Sequence, residues 1–175
     1  MEKKTLNTTG DNSFFLNGDI DEHRVQEVFN TLWFQSPLEG ENSLYFFLNT
    51  YGGDVYDAFA IRNLLQTSPY EITIICAGKI MSAGLIVLTG ADNVYSYRDT
   101  SFMIHDVDLL ETKITKTNID SIGKNVEMIN NKMYQILSDF TQGKSSFEEL
   151  KRLGAKESYF DSNQALTLGL IHGFI

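Results

Sequence analysis

The chain has little of what would cross-link a protein covalently or carry it across a membrane. Its 175 residues include one cysteine, Cys76, so no internal disulfide can form. The apolar run around Cys76 predicts a small buried side chain, and a single thiol fits a reducing compartment. No apolar run approaches the roughly 18 residues that a membrane span requires, and no apolar segment of a signal peptide follows the N-terminal lysines. We therefore expect a single domain, residues 1–175, in the cytoplasm.

Basic residues are also scarce. The chain has 14 lysines and arginines against 23 aspartates and glutamates, and its formal net charge is -9. This balance argues against a sequence-independent grip on nucleic acid. Neither the dinucleotide fingerprint nor the Walker lysine motif is present. None of the three histidines has a second histidine or cysteine at ligand spacing, so no metal site is expected.

What the sequence does contain is an alternation of strands and helices over its first two thirds. The apolar strand LYFFLN is followed by an amphipathic helix pattern and the apolar strand EITIICAG by an apolar helix. The helix predicted before LYFFLN has Asp21 as its candidate N-cap, and one face of it carries Val25, Val28, Leu32 and Trp33. This order predicts an α/β fold with a largely parallel sheet and crossover helices. Ligands of such folds bind where strands pass into helices. The two turns to consider are therefore NTYGGD and AGKIMSAG.

Ser82 lies at the start of the helix predicted after the second of these turns. Backbone N–H groups at a helix start lack intrahelical partners. The N–H of Ala83 could therefore hold an oxyanion, and the Gly52-Gly53 turn could present a second N–H donor. A serine nucleophile also needs a base and an acid. On this stretch alone, a serine at a helix start more often caps the helix than acts as a nucleophile. Two adjacent glycines likewise more often form an ordinary tight turn.

One histidine is placed to act as a base. His105 ends the predicted strand SFMIH, whereas His23 and His172 lie in a charged helix start and in the C-terminal tail. Taken alone, a histidine at a strand end is more often a core residue. Asp106 should point to the opposite face of the strand, and Asp108 has the same problem if the strand continues. The residue pattern therefore leaves the acid to come from elsewhere in the chain.

The C-terminal third is organised differently. A seam of apolar residues spaced alternately by three and four predicts a long helix that ends near Gly143. The helix either faces the core or projects from the domain to pack on another subunit. Asp161 and Gln164 then predict a capping box before a short helix. The seam consists of Ile119, Ile122, Val126, Ile129, Met133, Ile136 and Phe140.

In their order, these segments resemble the ATP-dependent Clp protease proteolytic subunit family, most closely its divergent phage-type or prophage-type members. The segments are FFLNGDID, LYFFLNTYGGDVYDAFAI, AGKIMSAGLIVLTGA, SFMIHDVD and ESYFDSNQALTLGLI, from about Phe14 to Ile171. The resemblance implies a ClpP/crotonase-like α/β fold. It also implies a head formed by about 13–110 and 155–175, with a projecting handle helix region at about 112–153.

The same resemblance implies a serine endopeptidase that cleaves peptides or unfolded proteins inside an oligomeric chamber. The family motif Gly-x-x-x-Ser-x-Gly falls on Gly78, Ser82 and Gly84, which makes Ser82 the implied nucleophile. His105 is the implied base, and Glu157 is the implied acid. The family's chemistry requires no metal or organic cofactor.

Substrate contacts and partners follow from the resemblance as well. The Gly52-Gly53 turn and Ala83 are implied to bind the substrate, with the amides of Gly53 and Ala83 holding the oxyanion. The implied assembly is a homo-oligomer of stacked, heptameric rings. An AAA+ unfoldase is a further implied partner, and neither nucleic acid nor a membrane is one.

Several departures from the family pattern leave alternatives open. Thr50-Tyr51 replaces Ser-Pro before the two glycines, Asp106-Val107 replaces Gln-Pro after the histidine, and Glu157 replaces an aspartate. The segment before Phe14, where the ATPase docks in the family, is short. The alternatives are a catalytically inactive ring subunit and a crotonase-type acyl-CoA enzyme on the same fold.

Overall fold

The computed structural model describes residues 6, 8–9, 12–34, 42–108, 115 and 117–175. Strands and helices alternate up to the fourth strand, and the α/β fold is confirmed. The strands are β1 (Ser13–Asn17), β2 (Ser43–Thr50), β3 (Glu71–Met81), β4 (Asn93–Ser96), β5 (Ser101–Ile104), β6 (Ser158–Asp161) and β7 (Gly173–Phe174). The helices are α1 (Glu22–Phe34), α2 (Val55–Gln66), α3 (Gly84–Leu88), α4 (Ile119–Phe140), α5 (Phe147–Gly154) and α6 (Ser162–Leu168).

The sheet divides along its longest strand, β3. Residues 73–76 of β3 pair in parallel with β4, whereas residues 79–81 pair in parallel with β5. The main path through the sheet is β1-β2-β3-β4-β7, and all of these pairs are parallel. Strand β6 pairs with β5 in the antiparallel sense. The predicted largely parallel sheet is therefore present, with a side arm formed by β5 and β6.

Gly78 lies at the point where β3 leaves β4 for β5. The register with β2 passes from Leu48 opposite Cys76 to Thr50 opposite Ile80, so two steps along β2 match four along β3. This bulge requires φ +75 at Gly78, a conformation that a residue without Cβ adopts at least cost. The first glycine of the Gly-x-x-x-Ser-x-Gly motif thus bends the strand that carries Ser82.

The core lies between the sheet and a chain of helices in which α1 packs on α2, α2 on α3, and α3 on α4. Central strand residues such as Phe46, Ile74 and Phe102 are fully buried, as continuous apolar strands predict. Cys76 is fully buried too, and its burial raises the pKa of the thiol. Cys76 is therefore the small buried side chain that the sequence predicts.

The long helix α4 is packed into the core over only part of its length. Its second half is packed into the core through Ile129, Met133, Tyr134 and Leu137. In its first half, Ile119 is 55% and Met128 is 62% exposed, whereas Ile122 and Val126 are half-buried. The division into head and handle stays a prediction, and residues 112–114 and 116 of the predicted handle lie outside the described residues.

Local sequence signals are mostly reliable at helix ends. Asp21 accepts a hydrogen bond from the Arg24 N–H at the start of α1, and Asp161 and Gln164 form the predicted capping box of α6. The sequence pattern places Trp33 on the buried face of α1, but this residue is 46% exposed and stacks on Phe29. None of the helices in the described ranges is long and apolar enough to cross a membrane.

Candidate active site

Ser82 lies directly after β3, in a turn that precedes α3. Its backbone has φ +53, in the left-handed region that residues with a Cβ seldom adopt. The Ser82 N–H donates to the carbonyl oxygen of Met103 in β5 at 2.9 Å, which ties the turn to the neighbouring strand. Strained backbone of this kind occurs at nucleophiles on strand-to-helix turns. Ser82 therefore has the strained strand-to-helix turn that is found at nucleophiles, and not only the position of a helix cap.

His105 follows β5 just as Ser82 follows β3. Because Met81 and Met103 are partners in the parallel pairing, the two side chains emerge at the same edge of the sheet. The distance between His105 Nε2 and Ser82 Oγ is 2.6 Å. When the hydroxyl donates to Nε2, the imidazole proton is on Nδ1. The pair then has the arrangement in which a histidine accepts the proton of an attacking serine.

The Gly52-Gly53 turn packs against the serine turn. A Cβ on Gly52 would lie 2.7 Å from Ser82 Cβ, and one on Gly53 would lie 2.2 Å from the Ile20 carbonyl oxygen. Gly53 forms a parallel bridge with Ile20, which fixes the loop from its other side. Both positions have positive φ and no room for a side chain, so glycine is required there.

Thr50 explains the first departure from the family pattern. Its Oγ1 accepts a hydrogen bond from the Gly52 N–H at 2.9 Å, and its side chain is buried. The Thr50 methyl carbon would lie 2.5 Å from a Cβ on Gly84, so the third position of the motif is glycine because Thr50 fills the space. A threonine at this position therefore holds the glycine turn and contacts the helix after Ser82.

Two backbone N–H groups beside Ser82 are left for a ligand. The Gly52 N–H is used by Thr50, but neither the Gly53 N–H nor the Ala83 N–H has an acceptor among residues that the structure describes. Ala83 N lies 3.1 Å from the position of a Cβ on Gly52, so the two turns are in close contact. Two adjacent free donors next to a nucleophile can stabilise an oxyanion.

These groups line one cleft of ≈ 540 Å³ that contains both Ser82 and His105. Among the residues that the structure describes, the lining includes the carboxylates of Asp54 and Asp108 and no lysine or arginine. Its apolar part combines α2, α3 and α4 with the segment after His105. These apolar side chains are Val55, Ile86, Val107 and Met133.

Three carboxylates were considered as partners of His105, and each has a different contact in the structure. Asp108 Oδ2 lies 3.6 Å from His105 Nδ1, and the side chains are 85% and 22% exposed respectively. Asp106 points away, as predicted, and accepts a hydrogen bond of 2.6 Å from the Tyr134 hydroxyl. Glu157 accepts a hydrogen bond of 2.9 Å from the Tyr159 hydroxyl. Of the predicted site residues, the structure thus brings Ser82 and His105 into contact, while the Glu157 carboxylate is bonded to a tyrosine.

Sequence reasoning missed Asp108 for an identifiable reason. Alternation of side chains excludes it only if the strand continues past His105, but β5 ends at Ile104. Beyond the strand, the chain turns so that a residue three positions on reaches the imidazole. A signal was present in the three polar or charged residues of His-Asp-Val-Asp, which are atypical of a buried strand.

A serine and histidine in contact at the ends of adjacent parallel strands, with two free N–H donors beside them, are typical of serine hydrolases. The chain matches the Clp protease family over residues 4–175. It belongs to this family and is a serine peptidase of the Clp type.

One solved structure illustrates how the fold is shared. A mutant of ClpP1 from Listeria monocytogenes superposes on this chain with a TM-score of 0.83. The two sequences are 18% identical, and the match covers 94% of this chain and 91% of the other. At that identity the likeness shows a common fold with helices around a parallel sheet.

Proposed function

We propose that this chain is a serine endopeptidase that cleaves peptides or unfolded proteins inside an oligomeric chamber. The observation that carries the proposal is the 2.6 Å contact between Ser82 Oγ and His105 Nε2, in a cleft beside the free N–H groups of Gly53 and Ala83. A crotonase-type acyl-CoA enzyme has no need of this serine and histidine in contact.

The chemistry follows from the atoms in contact. Ser82 Oγ attacks the peptide carbonyl carbon while its proton moves to His105 Nε2. The carbonyl oxygen becomes an oxyanion that accepts hydrogen bonds from the backbone N–H groups of Gly53 and Ala83. Gly52 packs against the turn that carries Ser82. The amine leaves with the proton from Nε2, and water then hydrolyses the acyl-enzyme with His105 again as base. Glu157 is the residue that the family resemblance implies for orienting His105.

The proposed partners rest on the family and on the exposed apolar residues of α4. We propose a homo-oligomer of stacked heptameric rings in the cytoplasm, with an AAA+ unfoldase as a further partner. The uncovered first half of α4, where Ile119 is 55% and Met128 is 62% exposed, supports contact with another subunit. Native mass spectrometry of the purified protein tests the ring size directly.

The experiment that tests the activity is intact mass after treatment with a serine-reactive fluorophosphonate, together with Ser82→Ala. We expect one adduct per subunit on the wild type and none on the variant. Cleavage of an unstructured protein should be lost in the same variant. A correctly assembled wild type that neither forms an adduct nor cleaves would contradict the peptidase and support an inactive ring subunit instead.

A further inference from the structure

We propose that Asp108, rather than Glu157, is the positioning residue that holds the Nδ1–H of His105. This inference rests on the peptidase function proposed above. A positioning carboxylate has two tasks, which are to select the tautomer with the proton on Nδ1 and to balance the charge of the imidazolium. Both tasks require the carboxylate to face Nδ1 while Nε2 faces the nucleophile.

The imidazole is placed between two oxygen atoms in this way. Nε2 lies 2.6 Å from Ser82 Oγ, and Nδ1 lies 3.6 Å from Asp108 Oδ2. The second distance is that of an ion pair and exceeds a hydrogen bond by a few tenths of an ångström. An Nδ1–H directed at a carboxylate is favoured over an Nε2–H, because the latter would face Ser82 with no negative charge nearby.

Glu157 is close to His105 along the backbone but its carboxylate is engaged elsewhere. The antiparallel pairing of β5 and β6 ends with Ile104 opposite Ser158; His105 directly follows β5, and Glu157 directly precedes β6. The Glu157 side chain nevertheless bonds the Tyr159 hydroxyl at 2.9 Å. Glu157 has φ +49, so its backbone does not continue the extended conformation of β6 beside His105.

The segment that carries Asp108 is held by two hydrogen bonds from one face of α4. The Val107 N–H donates to Asn130 Oδ1 at 2.8 Å, and the Tyr134 hydroxyl donates to Asp106 Oδ1 at 2.6 Å. Asn130 and Tyr134 are four residues apart and therefore lie on the same face of the helix. The Val107 N–H and the Asp106 side chain are thus both tied to α4, which limits where the Asp108 side chain can go.

The exposure of Asp108 determines how large its effect can be. Its side chain is 85% exposed, so water and salt screen its attraction for His105. Among the described residues of the lining, the other carboxylate is that of Asp54, which is fixed at the start of α2 by the N–H groups of Tyr56 and Asp57. We therefore expect an effect of moderate size that weakens with ionic strength.

The test compares four variants of the full chain: Asp108→Asn, Asp108→Glu, Glu157→Gln and Asp99→Asn. Asp99 is an exposed residue between β4 and β5 and serves as the matched control for loss of one surface carboxylate. The measured quantities are kcat and KM for a fluorogenic peptide at low ionic strength and in about 1 M salt. Labelling of Ser82 by a fluorophosphonate is followed in parallel.

We expect Asp108→Asn to lower kcat by about five- to tenfold at unchanged KM, because the histidine is misdirected while peptide contacts remain. Asp108→Glu should recover most of the loss. Asp99→Asn should stay within about twofold of wild type, and Glu157→Gln should lose less activity than Asp108→Asn. In about 1 M salt the difference between wild type and Asp108→Asn should shrink to about twofold.

The result that overturns the role of Asp108 is a wild-type kcat in Asp108→Asn together with a large loss in Glu157→Gln. Ser82 would still be labelled in that case, so the peptidase function would stand. If the wild type were neither labelled nor active, the proposed peptidase function would be contradicted. The role of Asp108 can be tested separately by nitrogen NMR, which reports the tautomer of the His105 imidazole. The Nδ1–H tautomer should fall in Asp108→Asn, and an unchanged tautomer there would refute its role.

Discussion

The buried hydroxyl of Tyr134 donates a 2.6 Å hydrogen bond to Asp106, the residue next to the candidate base His105. Tyr134 belongs to the second half of α4, which is packed into the core. The histidine at the cleft is therefore attached to the long helix through its neighbour in sequence. The geometry of the candidate site depends on how α4 is seated.

This hydrogen bond should give stability a pH dependence at alkaline pH. Burial, followed by the hydrogen bond to Asp106, raises the pKa of Tyr134 above its usual range. The folded protein keeps the phenol protonated where the unfolded chain ionises. The contribution is complete below about pH 10, the pKa of an unfolded tyrosine, and is lost as the pH rises further toward the folded value.

Tyr134→Phe tests that pH dependence while retaining the ring. We expect the free energy of unfolding at neutral pH to fall by about 1–3 kcal/mol, since a buried donor to a carboxylate is removed. Between about pH 10 and 11.5 the variant should lose stability less steeply than wild type. Urea unfolding at a series of pH values gives both numbers, and parallel curves would contradict an ionisation at this site.

The Gly52-Gly53 turn predicts a large difference between two glycine-to-alanine changes. Gly53→Ala places a Cβ 2.2 Å from the Ile20 carbonyl oxygen at φ +147, and should cost about 2–4 kcal/mol. Displacement of its N–H should slow acylation of Ser82 about 100-fold. A Cβ on Gly123 in α4 meets no atom of the described residues within 4 Å, so Gly123→Ala should stabilise the fold by about 0.5–1 kcal/mol.

Both effects are read from urea unfolding and from the rate of fluorophosphonate labelling. Gly123→Ala is the control, because it adds the same methyl group at an exposed helical position without altering the labelling rate. Rapid labelling of a well-folded Gly53→Ala protein would remove the Gly53 N–H from the proposed oxyanion site.

Thr50 and Gly84 should be coupled through one methyl group. A Cβ on Gly84 would lie 2.5 Å from Thr50 Cγ2, so Gly84→Ala should cost about 1–3 kcal/mol. Thr50→Ser removes that methyl and keeps the hydroxyl that accepts from Gly52. The double variant should therefore be more stable than Gly84→Ala alone, and a coupling energy below about 0.5 kcal/mol in the double-mutant cycle would contradict the contact.

The backbone of Ser82 predicts that two inactive variants differ in stability. Both Ser82→Ala and Ser82→Gly remove the hydroxyl, but only glycine adopts φ +53 without strain from a Cβ. We expect Ser82→Gly to be more stable than Ser82→Ala by about 1 kcal/mol. Thermal unfolding of the two proteins compares them directly, and equal stabilities would show that the turn relaxes when the serine is replaced.

Much of the fold was accessible from the sequence because local patterns and tertiary structure agree. Alternating apolar strands and amphipathic helices predicted the parallel sheet, and the Asp161-Gln164 pair predicted a helix start. The exposed Trp33 was missed because helical periodicity identifies a face but not whether a neighbouring element covers it.

The candidate site was accessible to the extent that strand ends determine it. Ser82 and His105 each follow a strand, and parallel pairing of those strands brings the two residues together. The position of Asp108 depends on β5 ending at Ile104, one residue before the histidine. Strand boundaries depend on hydrogen bonds with distant segments, so this detail requires three-dimensional information.

The division of the sheet along β3 also bears on how a protein of this kind can change during evolution. β3 belongs to both arms of the sheet, so its backbone cannot be altered without disturbing the whole domain. The hydroxyl of Ser82 and the imidazole of His105, by contrast, lie at the ends of strands and can be replaced one side chain at a time. A descendant that lost catalytic activity would keep the fold of the enzyme and would differ from its ancestor by a few side-chain atoms at one edge of the sheet.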